Sequence, residues 1–313
     1  MASRRFGRVT VAKTPTSAVT HQPWAPVVAV GVTLVLWASA FVAIRHLGHD
    51  FSPGSLSLGR LLVGAVCLGA VAIPRGLVRP SGRDLAAVLA IGVLWFGIYN
   101  LALNQGEHHV DAGTASMLLQ VSPVLIAVLA AVFLAERFTV FLALGLLLAF
   151  GGVVAIALST SPGGHRDTTG VVLCLVAALV YSISAILQKP VVARLPAVQV
   201  TWLACSTGAV VCLPFLGQLI SETRAAPLSS TLWVIYLGVF PTAIAFTTYA
   251  FALRHMSASR LGVTTYLVPP ITIVLGVLFL AEAPPTLAYV GGVLALIGVA
   301  VARHRPRARV VTR

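Results

Sequence analysis

Charge is scarce in this chain. Only 9% of its 313 residues are Asp, Glu, Lys or Arg, against 58% hydrophobic, and the mean hydropathy is +0.97. An ordinary soluble globular domain is excluded by that balance. Acidic residues are rarest, eight in all, and cysteine is rarer still: Cys67, Cys174, Cys205 and Cys212 lie inside apolar runs with no CxxC pair. Neither a disulfide framework nor a zinc site is indicated, and packing is the expected role of these thiols. No metal and no cofactor is expected. The net charge of +13 is spread between the apolar runs and over both tails instead of forming one stripe. It therefore points to membrane lipid, not nucleic acid, as the partner surface.

Apolar sequence of membrane length is abundant. A helix crossing ~30 Å of hydrocarbon needs about 20 mostly apolar residues. Ten such segments are predicted, at 24–44, 55–73, 84–105, 112–134, 139–158, 169–188, 198–219, 230–253, 258–281 and 286–302. Only helices satisfy their backbone in lipid over such lengths, so the expected class is an all-α integral membrane protein with ten transmembrane helices. Arg4, Arg5, Arg8 and Lys13, followed by an apolar run and Ala38-Ser39-Ala40, imitate a cleavable leader. The repeat described next argues for a retained helix, because it gives this segment a counterpart. With the N-terminus in the cytoplasm, 17 Lys/Arg fall on the cytoplasmic side and only Arg45, Arg166 and Arg224 on the other. The positive-inside rule then places both termini in the cytoplasm.

The stretch Gln120–Glu136, QVSPVLIAVLAAVFLAE, returns 146 residues later at Tyr266–Glu282 as YLVPPITIVLGVLFLAE. The same offset pairs Gly145 with Gly291 and Gly152 with Gly298, and an offset of 144 pairs Gly64 with Gly208 and Trp37 with Tyr181. Two five-span units are implied, and an odd number of spans per unit turns them upside down relative to each other. The expected organisation is a cytoplasmic tail at 1–23, a first repeat at 24–158, a linker at 159–168, a second repeat at 169–302 and a basic cytoplasmic tail at 303–313. Inverted repeats of this kind build secondary transporters, with the binding site near the bilayer midplane between them. Pro123, Pro269 and Pro270, in matching places, are expected to break helices and to act in gating, by freeing carbonyls that a cavity or a packed neighbour would satisfy. They could equally be packing kinks. Pro241 has Trp95 as its counterpart and is read as a local kink.

Trp37-Ala-Ser-Ala-Phe in the first segment, Asn100-Leu-Ala-Leu leading through Asp111-Ala-Gly-Thr-Ala to Val121-Ser-Pro, and Phe-Leu-Ala-Glu before each hairpin resemble the EamA-type permeases of the drug/metabolite transporter superfamily. The likeness covers about residues 24 to 302. It implies export of small metabolites such as amino acids, or of drugs, across a bacterial inner membrane through a central cavity, and leaves the substrate open.

All eight acids and all eight histidines fall at helix ends, in loops or in tails. Proton-coupled carriers usually place such groups at membrane depth, so facilitated diffusion is expected, or coupling through Glu107, Glu136 or Glu282. Glu136 and Glu282 can equally cap the start of the following helix. Arg60 is the one charge inside a span, either snorkelling to the interface, bracing a neighbour's carbonyls or meeting a substrate carboxylate. The other candidates for the cavity lining are Trp37, Ser39, Tyr99, Asn100, Asn104, Gln120, Ser122, Tyr181, Ser184, Gln188, Thr242, Thr247, Thr265 and Tyr266. Each of these side chains could instead hydrogen-bond across packed helices. A lining of aromatics and amides suits neutral or zwitterionic metabolites, or amphipathic drugs, better than phosphorylated ones. One chain holds both halves, so a monomer suffices in principle, and the oligomeric state stays open. A lipid-linked carrier flippase is the alternative. An intramembrane enzyme is disfavoured because no nucleophile, base or metal set can be assembled inside the spans.

Overall fold

The computed structural model describes residues 24–135, 140–158, 167–281 and 285–302. Among them every regular element is a helix and no strand occurs. The helices are α1 (Ala25–Leu47), α2 (Pro53–Ala72), α3 (Gly82–Glu107), α4 (Ala112–Phe133), α5 (Val140–Leu158), α6 (Thr168–Val192), α7 (Ala197–Val211, continued by Leu213–Ala225), α8 (Leu228–His255), α9 (Ala258–Leu280) and α10 (Thr286–Ala302). Seven of these are long and apolar enough to cross a bilayer: α1, α2, α3, α4, α6, α8 and α9. An eighth span results if the two limbs of α7, bent by 55°, are taken together; α5 and α10 carry the shorter apolar stretches Ala143–Gly152 and Tyr289–Gly298. The bend in α7 has a local cause. Pro214 gives no N–H to the ladder, and the limb beyond it, Leu216–Ala225, buries none of its side chains.

Each helix finds its main partner in the other half of the sequence. Helix α1 lies against α8 and α9, while α6 lies against α3 and α4; α2 packs on α7 and on the middle of α8, and α7 packs on the middle of α3. Helix α5 runs along α10. The pattern of contacts is reciprocal under the sequence repeat.

Backbone detail repeats as well. Both α3 and α8 widen into a π-helical turn, at Gly92–Ile98 and Gly238–Ile244, 146 residues apart. A wide turn leaves carbonyls outside the regular ladder. Asn100 Nδ2 donates to Phe96 O at 2.9 Å, and Thr242 Oγ1 donates to Leu237 O at 2.8 Å. Pro241 sits in the second turn, yet the first turn is equally wide around Trp95, so proline is not the cause of the widening. The glycine opening each turn permits a close crossing: a Cβ on Gly92 would lie 2.7 Å from Ala204 O, and one on Gly238 would lie 2.8 Å from Arg60 O. Ala135 and Ala281, which follow α4 and α9, both take φ of 54°.

The paired prolines do less to the backbone than expected. Pro123 and Pro269–Pro270 stand in the first turn of Val121–Phe133 and Val268–Leu280, just past tightened turns at Leu119–Gln120 and Thr265–Leu267. At that position the missing N–H has no helical acceptor to lose. Both α4 and α9 therefore continue as single spans instead of unwinding.

Candidate functional site

A cavity lies between α1, α2, α3, α4, α6, α8 and α9. Of the residues expected to line a cavity, Trp37, Arg60, Tyr99, Gln120, Tyr181 and Thr265 do so. The wall is rich in aromatics: Trp37, Phe41, Trp95, Tyr99, Tyr181 and Phe246. Trp37 meets Tyr181 edge-on at 6.0 Å between ring centroids and Phe246 at 5.4 Å, and Trp95 lies 4.8 Å from Tyr181. Such pairs contribute about 0.5–1.5 kcal/mol each beyond area burial, so the wall is stiff. Tyr249 backs it, 5.1 Å from Trp37, and its hydroxyl shares a 3.2 Å hydrogen bond with Tyr181. Sequence reasoning missed Trp95, Phe246 and Tyr249 as site residues. The available signal was three large aromatics in midspan, away from the interfacial belt where aromatics usually collect.

Polar groups in this wall are few and sharply placed. Arg60 is 3% exposed, which rules out snorkelling. Its Nε donates to Thr242 Oγ1 at 3.1 Å, so the hydroxyl of the wide turn in α8 aims the guanidinium. Gln120, 5% exposed, gives its Nε2 to Ser116 O at 3.1 Å and leaves Oε1 with no hydrogen-bond partner. The indole Nε1 of Trp37 is likewise buried without an acceptor. A buried polar atom without a partner costs about 1–3 kcal/mol.

The remaining predicted residues lie outside the cavity lining. Ser122 and Ser182 hydrogen-bond across the α4–α6 contact, to Ala178 O and Ser122 O respectively. Asn104 gives its amide to Ser57 Oγ at 2.8 Å. Ser39 bonds Leu36 O and the Tyr236 hydroxyl. Ser184 and Thr247 each donate to the carbonyl four residues back. Gln188 is buried beyond the aromatic wall with its Oε1 unbonded. Asn100 serves the wide turn of α3, as described. Tyr266, Pro269 and Pro270 line a second, almost wholly apolar recess between α4, α9 and α10, which touches the first at Gln120. Pro123 is buried beneath Gly262 of α9. Glu136 and Glu282 lie outside the described residues; Glu107 is buried at the end of α3.

Two matching clamps lie at helix ends. Arg45, closing α1, donates from Nη1 to Glu107 O at 2.7 Å; Lys189, 144 residues later in α6, donates from Nζ to Leu253 O and Met256 O, each at 2.6 Å. In both, a cation meets the carbonyl end of a helix, where the dipole favours it. Beside Arg45, burial and then the guanidinium charge hold the His108 imidazole below its ordinary pKa, so it is neutral at pH 7.

The EamA-like transporter family model matches residues 24–158 and again residues 168–303. A probable terminal-alkyne amino-acid exporter of Streptantibioticus cattleyicolor is 39% identical over 279 residues, 89% of this chain and 93% of that protein. The uncharacterized transporter YdfC of Bacillus subtilis is 31% identical over 264 residues, 84% and 86% of the two chains. An uncharacterized transporter of Archaeoglobus fulgidus is 29% identical over 273 residues, 87% and 96%. A solved crystal structure shares the fold with a TM-score of 0.65 at 22% identity, over 89% of this chain and 96% of that one. The three sequence relatives are named as an exporter and as transporters, not as enzymes. The chain belongs to the EamA-like transporter family.

Proposed function

We propose that this protein exports small neutral or zwitterionic metabolites, amino acids or their relatives foremost and amphipathic drugs next, by alternating access through the aromatic cavity. In this reading the chain forms ten spans, as two inverted five-helix halves at 24–158 and 169–302, in a bacterial inner membrane with both termini cytoplasmic. The cavity carries the reading: it lies between the two halves, is walled by stiff aromatics and contains a single positive charge. The double match of the family model, and the packing of α1 on α8 and α9 answered by that of α6 on α3 and α4, support two equivalent units. The name given to the Streptantibioticus relative supports amino acids as the substrate class. The clamps at Arg45 and Lys189 supply alternate gates. With both made, the cavity is shut at each end, and releasing one opens one side.

Counterflow into proteoliposomes, with a pH gradient imposed or absent, tests this reading against a panel of amino acids, purines and cationic dyes. Amino-acid counterflow that ignores the gradient is expected of a facilitator; strict dependence on it would move attention to Glu107, Glu136 and Glu282. Trp37→Ala should slow counterflow by about tenfold while the protein still elutes as a folded monodisperse species. If no panel member exchanges, the reading fails.

A further inference from the structure

We infer that the cavity holds an α-amino acid in one orientation, with its carboxylate on Arg60 and its ammonium on the Oε1 of Gln120. This rests on the transport reading above and names the substrate chemistry of that same cavity.

Arg60 is a buried cation on α2 whose one hydrogen bond among the described residues runs from Nε to Thr242. No carboxylate among the described residues is in salt-bridge contact with it; the buried acid that acts on it from farther off is Glu107, which does not line the cavity. The Nη groups are left able to donate, and Arg60 lines the cavity. A buried guanidinium with no carboxylate in contact is unfavourable, and a forked donor of this shape fits a carboxylate. Trp37 Nε1 adds a further unused donor in the same wall. On α4, the amide of Gln120 is pinned through Nε2, so the atom left over is an acceptor. Two unfilled donor groups and one unfilled acceptor describe a zwitterion. A second anionic group would find no second cation, because Arg60 is the only basic residue in the lining. A simple cation would meet Arg60 with no acid in the lining to offset it. The aromatic wall then receives an apolar side chain. The repeat-related position to Arg60 is Ala204, so the positive handle exists on one side only and the ligand cannot bind reversed.

The probe is labelled L-norvaline in wild-type proteoliposomes, competed by unlabelled norvaline, norvaline methyl ester, butylamine and N-acetylnorvaline. Norvaline is expected to compete at least about tenfold better than each of the other three, the scale of one charge-assisted hydrogen bond. Arg60→Gln should raise the norvaline KM at least tenfold and leave the ester unchanged; Arg60→Lys should recover part of the loss. Gln120→Leu should abolish the preference for norvaline over N-acetylnorvaline alone. Equal competition by the ester or the amine overturns the assignment while leaving amino-acid transport intact, and this comparison decides the matter even if the Arg60 variants fail to fold. Absence of any amino-acid counterflow by the wild type overturns the transport reading itself.

Discussion

The hydroxyl of Tyr266 donates to the carbonyl of Gln120 across 3.0 Å, and these two residues occupy the same place in the two halves, 146 positions apart. A residue touches its own repeat mate only beside the axis that relates the copies. Two further pairs do so: the rings of Trp37 and Tyr181, and Cys205 Sγ, which donates to Leu61 O at 3.4 Å. These three contacts join positions that the sequence repeat pairs, at the α4–α9 turns, beside the cavity and at the α2–α7 crossing. Replacing Tyr266 by Phe removes one of these hydrogen bonds without changing shape. A loss of about 0.5–1.5 kcal/mol is expected, read as a lower melting midpoint in detergent.

The clamps predict sidedness. Lys189→Met should expose the cavity from the cytoplasmic side and Arg45→Met from the opposite side. Labelling of a cysteine placed at Ala40, in a Cys67→Ser background, by a membrane-impermeant maleimide reads the difference. Equal labelling of both variants from one side would remove the clamps as gates.

The close crossings at the wide turns predict a matched pair of severe variants. Gly238→Ala would press a methyl against Arg60 O, and Gly92→Ala against Ala204 O. Neither backbone can yield as a flexible side chain does. Overpacking costs about 1–3 kcal/mol, so both variants should lower thermal stability by similar amounts. Gly217, which has open space around it, should tolerate alanine.

Ala281 offers the opposite effect. Its φ of 54° is left-handed, a conformation that costs a residue with a Cβ about 1–2 kcal/mol and glycine little. After allowance for the greater freedom of glycine in the unfolded chain, Ala281→Gly should stabilise by about 0.5–1 kcal/mol, and Ala135→Gly likewise. Differential scanning fluorimetry of each variant checks it.

Much of this architecture was legible before any coordinates, and for a physical reason. Lipid leaves the backbone one option, so the ranges of the helices follow from apolar length, and Phe-Leu-Ala-Glu and the paired prolines exposed the duplication. The wide turns at Gly92–Ile98 and Gly238–Ile244 were not legible, since no residue type forces a π turn and Trp95 and Pro241 share nothing chemically. The site was half visible. Arg60, Trp37 and Tyr181 stood out as polar or aromatic groups at membrane depth, whereas Asn100, Asn104 and Ser122 looked the same in sequence and hold helices instead. What separates the two sets is the face of the helix on which each falls. Around a wide turn that face is displaced from the regular period of 3.6 residues.

That displacement reaches the cavity's charge. Thr242 can hold the Arg60 guanidinium because its own hydroxyl is anchored on Leu237 O, a carbonyl that a regular α-helix could not pair because the residue four places on is Pro241. The N–H missing at Pro241 thus frees the acceptor that, through Thr242, fixes the one positive charge of the cavity lining.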